Sequence, residues 1–314
     1  MVTKDDSKKE PLVSFVVNCY NGEKYLKRCL NSILKQQYSN WELIFWDNAS
    51  TDKSADIFKS YNDNRFKYFK SKKNVSLGQA RAWAVDQCQG EYIAFLDVDD
   101  EWLPEKTSLQ IERMLEDDSV LSYGGIIEMY ENRKKVKLIL PKHPSLNNFK
   151  HNLMQFEIQM PTIMIKHSTL IQKGLNFDPQ VFASEEYCLS MQLMVGEKVS
   201  VIKRPLAKYL VRTNSLTNKY ISRWFFERRY TLNKIVETHP QVYIKYKKEF
   251  KEAYFRSDYY EAEYLFFSNN RKVALKKIKP AIFYNWKYFV VFILMNLPSP
   301  FWNFFRKVKY NRNL

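Results

Sequence analysis

Tyr92-Ile93-Ala94-Phe95-Leu96-Asp97-Val98-Asp99-Asp100 decides how the chain reads: an apolar run ends abruptly in three carboxylates within four residues. The run has the length and composition of a buried strand. Acidic groups crowded at its C-terminal end repel one another unless a cation shares them. Hard divalent ions prefer carboxylate oxygen, and Mg²⁺ in particular is commonly held by one or two carboxylates together with substrate phosphates. The carboxyl ends of parallel strands are also where open α/β sheets bind their ligands. An acidic turn capping the next helix is the plainer alternative, and for an isolated Asp-x-Asp it would prevail. The rest of the chain tips the balance.

Upstream, Leu12 to Val17 is a short β-branched run that reads as a buried strand, followed by the loop Asn18-Cys19-Tyr20-Asn21-Gly22-Glu23. A helix then opens, with Tyr25, Leu26, Cys29, Leu30, Ile33 and Leu34 at helical spacing. The unit recurs: strand Trp41 to Trp46, loop Asp47 to Asp52, helix Ser54 to Tyr61, strand Phe66 to Phe69, and a helix from about Gly78 to Gln87. Such alternation predicts a parallel sheet with right-handed crossovers and helices on both faces. There is no Gly-x-Gly-x-x-Gly after the first strand and no Gly-x-x-x-x-Gly-Lys-Ser/Thr anywhere, which disfavours a dinucleotide oxidoreductase and a P-loop NTPase. The strands end instead in Asn18 and Asn21, Asp47 and Asn48, and Asp97 and Asp99, so a single ligand could be gripped by all three loops. Asp47 alone would be a turn residue or helix cap.

At 314 residues and 45% hydrophobic content, one large α/β domain with an appendage is expected. Four cysteines (Cys19, Cys29, Cys88, Cys188) lack Cys-x-x-Cys spacing and suit free, buried thiols in a reducing cytosol. Four histidines (His143, His151, His167, His239) show no zinc spacing. The stretch Met1 to Glu10 has no apolar signal, so a cytoplasmic location is expected.

The net charge of +16 is uneven: residues 219–314 hold 20 Lys and Arg against 7 Asp and Glu, a balance of +13. Basic tails seek anionic surfaces, and with no nucleic-acid motif in view the expected partner is phospholipid on the inner face of the cell membrane. From about Ser222 to Pro280 the chain reads as helical, with Trp224, Phe225, Tyr230, Tyr254, Phe255, Tyr259, Tyr264 and Phe266 recurring as helix–helix core. Tyr288 to Phe305 is uncharged but interrupted by Asn296, Pro298, Pro300 and Asn303, too short a run to span a bilayer. With Trp286 and Lys287 before it, and Trp302, Arg306, Lys307 and Lys309 after it, the segment suits a peripheral anchor. A buried helix packed on the catalytic domain is the alternative.

Four blocks together resemble the inverting glycosyltransferase family 2, whose nucleotide-binding half is the GT-A fold. They are Val13 to Asn21, Phe45 to Asp52, Asn74 to Arg81, and Gly90 to Asp100 followed by Trp102, Pro104 and Lys106. The resemblance covers residues 12 to about 217. It implies a GT-A-like α/β domain over residues 1–217, a mostly parallel sheet flanked by helices, with a basic helical extension over 218–314. It also implies transfer of one sugar from a nucleotide diphosphate-sugar, most often a UDP-sugar, to a glycan or lipid-linked glycan acceptor, with Mn²⁺ or Mg²⁺. The setting it implies is surface-glycan assembly, as in capsule or lipopolysaccharide.

Carried over by motif, Asp47 should contact the base, Asp97 the ribose, and Arg81 should lie along the nucleotide. Asp99, with Asp97 beside it, should hold the metal. The same loops offer Asn18, Tyr20, Asn21, Glu23, Asn48, Ser50, Gly78 and Val98 as further donor-binding positions. Where the family carries an acidic pair at a helix start, this chain has Ser184-Glu185-Glu186-Tyr187. Glu186 falls on the position of the catalytic base, Glu185 beside it, and the pair would equally make a good helix N-terminus. Where the family often closes with Tyr-Arg-x-His-x-x-Ser, this chain reads Tyr209-Leu-Val-Arg212-Thr-Asn-Ser215. Arginine cannot ligate a metal but can pair with phosphate, so Arg212 is expected on the diphosphate or, alternatively, in solvent. Tyr220-Ile-Ser-Arg-Trp224 misses the Gln of processive synthases. A second class stays open, a GT-A-like binding module with reduced chemistry, held at membranes by its basic tail.

Overall fold

The computed structural model describes residues 10–131, 135–212, 220–298 and 300–301. The chain forms two compact units, divided between Asn218 and Lys219. Ser215, Trp302, Asn303, Phe305, Arg306, Lys307 and Lys309, named above, lie outside the described residues.

The first unit begins as its apolar runs dictate. Strands β1 (Val13–Cys19), β2 (Trp41–Asp47), β3 (Phe66–Lys70) and β4 (Tyr92–Asp97) alternate with helices α1 (Glu23–Leu34), α2 (Ser54–Lys59) and α3 (Leu77–Val85). β1 and β2 are buried along their whole length, as central strands covered on both faces must be. Glu42 within β2 is tolerated because Lys67, Ser14 and the Gln89 N–H satisfy its carboxylate. Those partners hold its pKa below the usual range against the opposing effect of burial. Leu26, Cys29, Leu30 and Ile33 of α1 enter the same core as Phe15, Leu43 and Phe45. All four cysteines are free and buried.

The later elements are β5 (Glu101–Trp102), α4 (Lys106–Asp117), β6 (Leu121–Tyr130), β7 (Val136–Ile139), α5 (Phe149–Met154), β8 (Met164–Lys166), α6 (His167–Gln172), α7 (Glu185–Leu193) and β9 (Val199–Val211). The sheet runs β3-β2-β1-β4-β8-β6-β9-β5, with β7 on β6. The parallel order holds from β3 to β4 and between β6 and β9, whereas β8 pairs antiparallel with β4 and β6, and β5 with β9. The sheet is therefore mixed, a parallel donor-binding half joined through the three-residue β8 to a second half of both orientations.

The second unit is helical: α8 (Ile221–Thr238), α9 (Pro240–Lys245), α10 (Lys247–Phe267), α11 (Arg271–Ile278) and α12 (Trp286–Asn296). Its core gathers Tyr259, Phe266, Ile278, Tyr288, Val291 and Met295. Part of the expected aromatic stripe is core, but Tyr230 and Tyr264 stand at the surface. No helix among the described residues is long and apolar enough to cross a membrane. α12 divides its apolar side chains, with Tyr288, Val291 and Met295 turned into the unit's core while Trp286, Phe289 and Ile293 are exposed.

Candidate active site

Parallel register brings the strand ends to one edge, with Asn18 level with Asp97 across β1 and β4, and Cys19 level with Asp47 across β1 and β2. The loops after β1 and β2 are laced together. Asn21, at φ 50°, accepts the Thr51 N–H at 2.9 Å, and its own N–H donates to Ser50 Oγ at 3.1 Å. Asparagine is among the few residues that tolerate this left-handed backbone. Gly22 N–H donates to Ser54 Oγ, Glu23 N–H to Asp52, and Glu23 in return accepts the Lys53 N–H, each at 2.9 Å. Gly22 also presses on the acid motif, since a Cβ there would stand 2.7 Å from a Val98 methyl. Val98 is thus the packing contact that seats Asp97 and Asp99 against the first loop.

Asp47 is fully buried, its oxygens accepting from the Ser50 N–H at 2.7 Å and the Tyr68 O–H at 2.6 Å. Asn48 is bound to Val75 through both ends of its amide, with Nδ2 at 2.9 Å from the Val75 carbonyl. In this arrangement both help build the rim, and each Asp47 oxygen keeps a lone pair beyond these bonds. Polar atoms left over in these loops include the buried Asn18 Nδ2, which has no partner, and the hydroxyl of Tyr20, a residue 52% exposed.

Helix α3 delivers Arg81 to Asp97. Ser76 caps it by accepting the Gln79 N–H, and Gly78 lets its first turn approach residues 178–181, where a Cβ would lie 2.8 Å from the Asp178 carbonyl oxygen. Arg81 is 4% exposed and its Nη2 stands 2.5 Å from Asp97 Oδ1, with the guanidinium 5.7 Å from the centre of the Phe177 ring. Burial works against its charge, but Asp97, Glu185 and Glu186 more than offset it, so its pKa rises. The N-terminus of α7 therefore faces the same site as the end of β4. Ser184 takes the N-cap position of α7 without a side-chain capping bond; Glu185 is buried and Glu186 partly exposed.

Burial, then repulsion from Asp97, raises the pKa of Asp99, with Arg212 opposing. Burial, then repulsion from Asp99 and Asp97, pushes Asp100 well above the usual carboxylate range. Asp100 Oδ1 accepts the Leu210 N–H at 2.8 Å, fixing the end of β9, from which Arg212 reaches an ion pair with Asp99. Arg28 of α1 donates to the Asp99 carbonyl at 2.9 Å and pairs with Glu101 at 2.8 Å. Tyr25 lies under the Arg212 guanidinium, 5.1 Å from it, and donates to Glu131 at 2.6 Å. The expectation of a solvent-facing Arg212 is not what the structure holds. Tyr25, Arg28 and Asp100 are contributors the sequence reading left without a role. Asp100 stood in the acid run itself, while Tyr25 and Arg28 carry no local signal because their partners come from distant strands.

The glycosyl transferase family 2 sequence model matches residues 14–172, from β1 through α6. A putative teichuronic acid biosynthesis glycosyltransferase, TuaG of Bacillus subtilis, is 29% identical over 70% of this chain and 88% of its own length. The Escherichia coli UDP-Glc:α-D-GlcNAc-diphosphoundecaprenol β-1,3-glucosyltransferase WfgD is 28% identical over 67% of this chain and 81% of its own. Among solved structures, the Pyrobaculum calidifontis mannosyltransferase PcManGT, in complex with GDP-Man and Mn²⁺, superposes with a TM-score of 0.61 at 14% identity, covering 95% of this chain and 84% of that one. The matched stretch holds the laced loops, Arg81, Asp97 and Asp99, half of the whole sequence, and on that ground the chain belongs to glycosyl transferase family 2.

Proposed function

We propose that the chain moves one sugar from a UDP-sugar to a hydroxyl of a glycan or lipid-linked glycan, with inversion, during assembly of a surface polysaccharide or glycolipid. The observation that carries this reading is the convergence of Asp97 and the acidic start of α7 around the buried Arg81, with Asp99 beside Asp97. The donor and acceptor classes follow the UDP-glucose and diphosphoundecaprenol in the name of the E. coli relative, and the setting follows the teichuronic acid in that of the B. subtilis one.

In this reading Arg81 fixes Asp97 through one oxygen and leaves the other for a ribose hydroxyl, with Asn18 Nδ2 beside it as a further donor. Asp99, a hard carboxylate that burial and repulsion from Asp97 destabilise, suits a divalent cation. Among the described residues no three His, Cys, Asp or Glu are placed to hold a metal ion by themselves, so Asp99 and Asp97 fit an ion that completes its shell on a diphosphate. An ion bound there would act as a Lewis acid on the leaving diphosphate. Glu186 takes the acceptor proton as the acceptor oxygen bonds to the anomeric carbon, and the bond to the diphosphate breaks with its electron pair going to the leaving group. Attack from the face opposite the leaving group inverts the centre.

The second unit serves peripheral contact with anionic lipid at the inner face of the membrane. Phe283 and Trp286 are 93% and 71% exposed in a segment flanked by Lys279 and Lys287, and apolar insertion combined with basic attraction is what such contact needs.

Incubation with UDP-, GDP- and dTDP-sugars and a polyprenyl-diphosphate-linked monosaccharide, following nucleotide release and the anomeric configuration of the product, tests the assignment. Retained configuration refutes inversion. UDP binding without turnover of any donor returns the binding module.

A further inference from the structure

Arg212 holds a position that several elements build. The Asp100 carboxylate fixes Leu210, and the Glu131 N–H donates to the Val211 carbonyl at 3.2 Å. Tyr25, anchored on Glu131, supplies the ring beneath the guanidinium. The side chain so placed pairs with Asp99, and the two are 28% and 14% exposed. Arg28, the other guanidinium beside Asp99, binds its backbone carbonyl and leaves the carboxylate to Arg212. Asp97 has its own arginine in Arg81, but that residue is sealed at 4% exposure whereas Arg212 is partly open to solvent. Each carboxylate of the Asp-x-Asp motif is therefore neutralised by the chain before any ligand arrives.

We propose that Arg212 is the resident cation of the donor-free site, so that a divalent ion reaches Asp99 only together with a diphosphate, whose oxygens take over the guanidinium as it leaves the carboxylate. A guanidinium and a dication cannot share one carboxylate at close range without strong repulsion. A diphosphate offers the fork of the guanidinium an equivalent or better bidentate partner. The order of binding is thereby built into one side chain, and the site does not fill with metal in the absence of nucleotide. This rests on Asp99 being the metal carboxylate.

Manganese binding, followed by loss of the free Mn²⁺ signal in electron paramagnetic resonance, tests it on the full chain with and without UDP. The wild type is expected to bind Mn²⁺ at least tenfold more weakly without UDP than with it. Arg212→Gln, which keeps a polar side chain but no charge, is expected to bind Mn²⁺ without UDP at least tenfold more tightly than the wild type, while Arg212→Lys keeps the wild-type behaviour. Circular dichroism establishes that the variants fold, and Arg212→Met serves in the same comparison should the Gln form not fold. Equal Mn²⁺ affinity of the wild type and the uncharged variant in the absence of UDP overturns the role of Arg212 alone. If Asp99→Asn binds Mn²⁺ with UDP as the wild type does, or the wild type binds none even with UDP, the assignment of Asp99 to the metal falls, and the proposal with it.

Discussion

Replacing Lys106 with Met should make the protein more stable, and the gain should fade as the pH rises. Lys106 opens α4 with no exposure at all; its Nζ lies 4.3 Å from the Trp102 ring and has no hydrogen-bond partner. Burial drives its pKa well below the ordinary lysine value. The unfolded chain therefore binds a proton that the native chain gives up. The penalty is absent above a pH of about 10.4, grows as the pH falls, and levels off once the lowered native value is passed. Within that window the stability of the wild type should climb by about 1.4 kcal/mol per pH unit relative to the variant. At neutral pH the Met form should be the more stable, since Met fills a similar volume without a polar atom. The cation–π contact with Trp102 opposes this, but it requires the charge that burial disfavours. Urea unfolding of both proteins at steps from pH 7 to 10 measures the difference directly, with every other titrating group cancelling. A difference that does not change with pH, or one that grows toward pH 10, refutes the reasoning.

Asp99→Asn should leave the far-ultraviolet circular dichroism intact and abolish transfer at every Mn²⁺ concentration; full activity would remove the metal role from that carboxylate. Glu186→Gln should lower turnover by roughly 10²- to 10⁴-fold with little change in donor affinity, measured by steady-state kinetics, and a larger fall from Glu185→Gln would move the base to the buried neighbour. Gly78→Ala should cost about 1–3 kcal/mol and reduce turnover, because its Cβ would press on the Asp178 and Val181 carbonyls that lead into α7; an unchanged melting curve contradicts that close approach. Phe283→Ser with Phe289→Ser should release the protein from anionic vesicles in co-sedimentation while leaving donor hydrolysis alone, and a double variant that still pellets places the anchor elsewhere.

The parallel half of the sheet was legible because its strands are buried on both faces and read as continuous apolar runs, each closed by polar loop residues. Residues whose partners are distant in sequence were not. A lysine in a charged stretch looks exposed, and only the packing of α4 on Trp102 shows that Lys106 is sealed. Arg212 offered phosphate or solvent as alternatives, and its pairing with Asp99 depends on the course of β9, whose thirteen residues include a proline and pair with β6 across register shifts. Asp47, Asn48 and Ser50 accept hydrogen bonds from within the loops themselves, because the segments they occupy bind one another. The helix 286–296 was read as either anchor or core, yet its apolar side chains divide between buried and exposed faces.

That mutual binding of the first two loops has a consequence for engineering. Asn21, Gly22 and Glu23 find their hydrogen-bond partners in the stretch from Ser50 to Ser54, and the exchange runs in both directions. A loop transplanted from a relative onto one strand alone would meet donors and acceptors cut for a different neighbour. The two segments are exchangeable as a matched pair, so recombination of donor preference between family members should cross over before residue 18 or after residue 54, and chimeras joined between those points should express poorly.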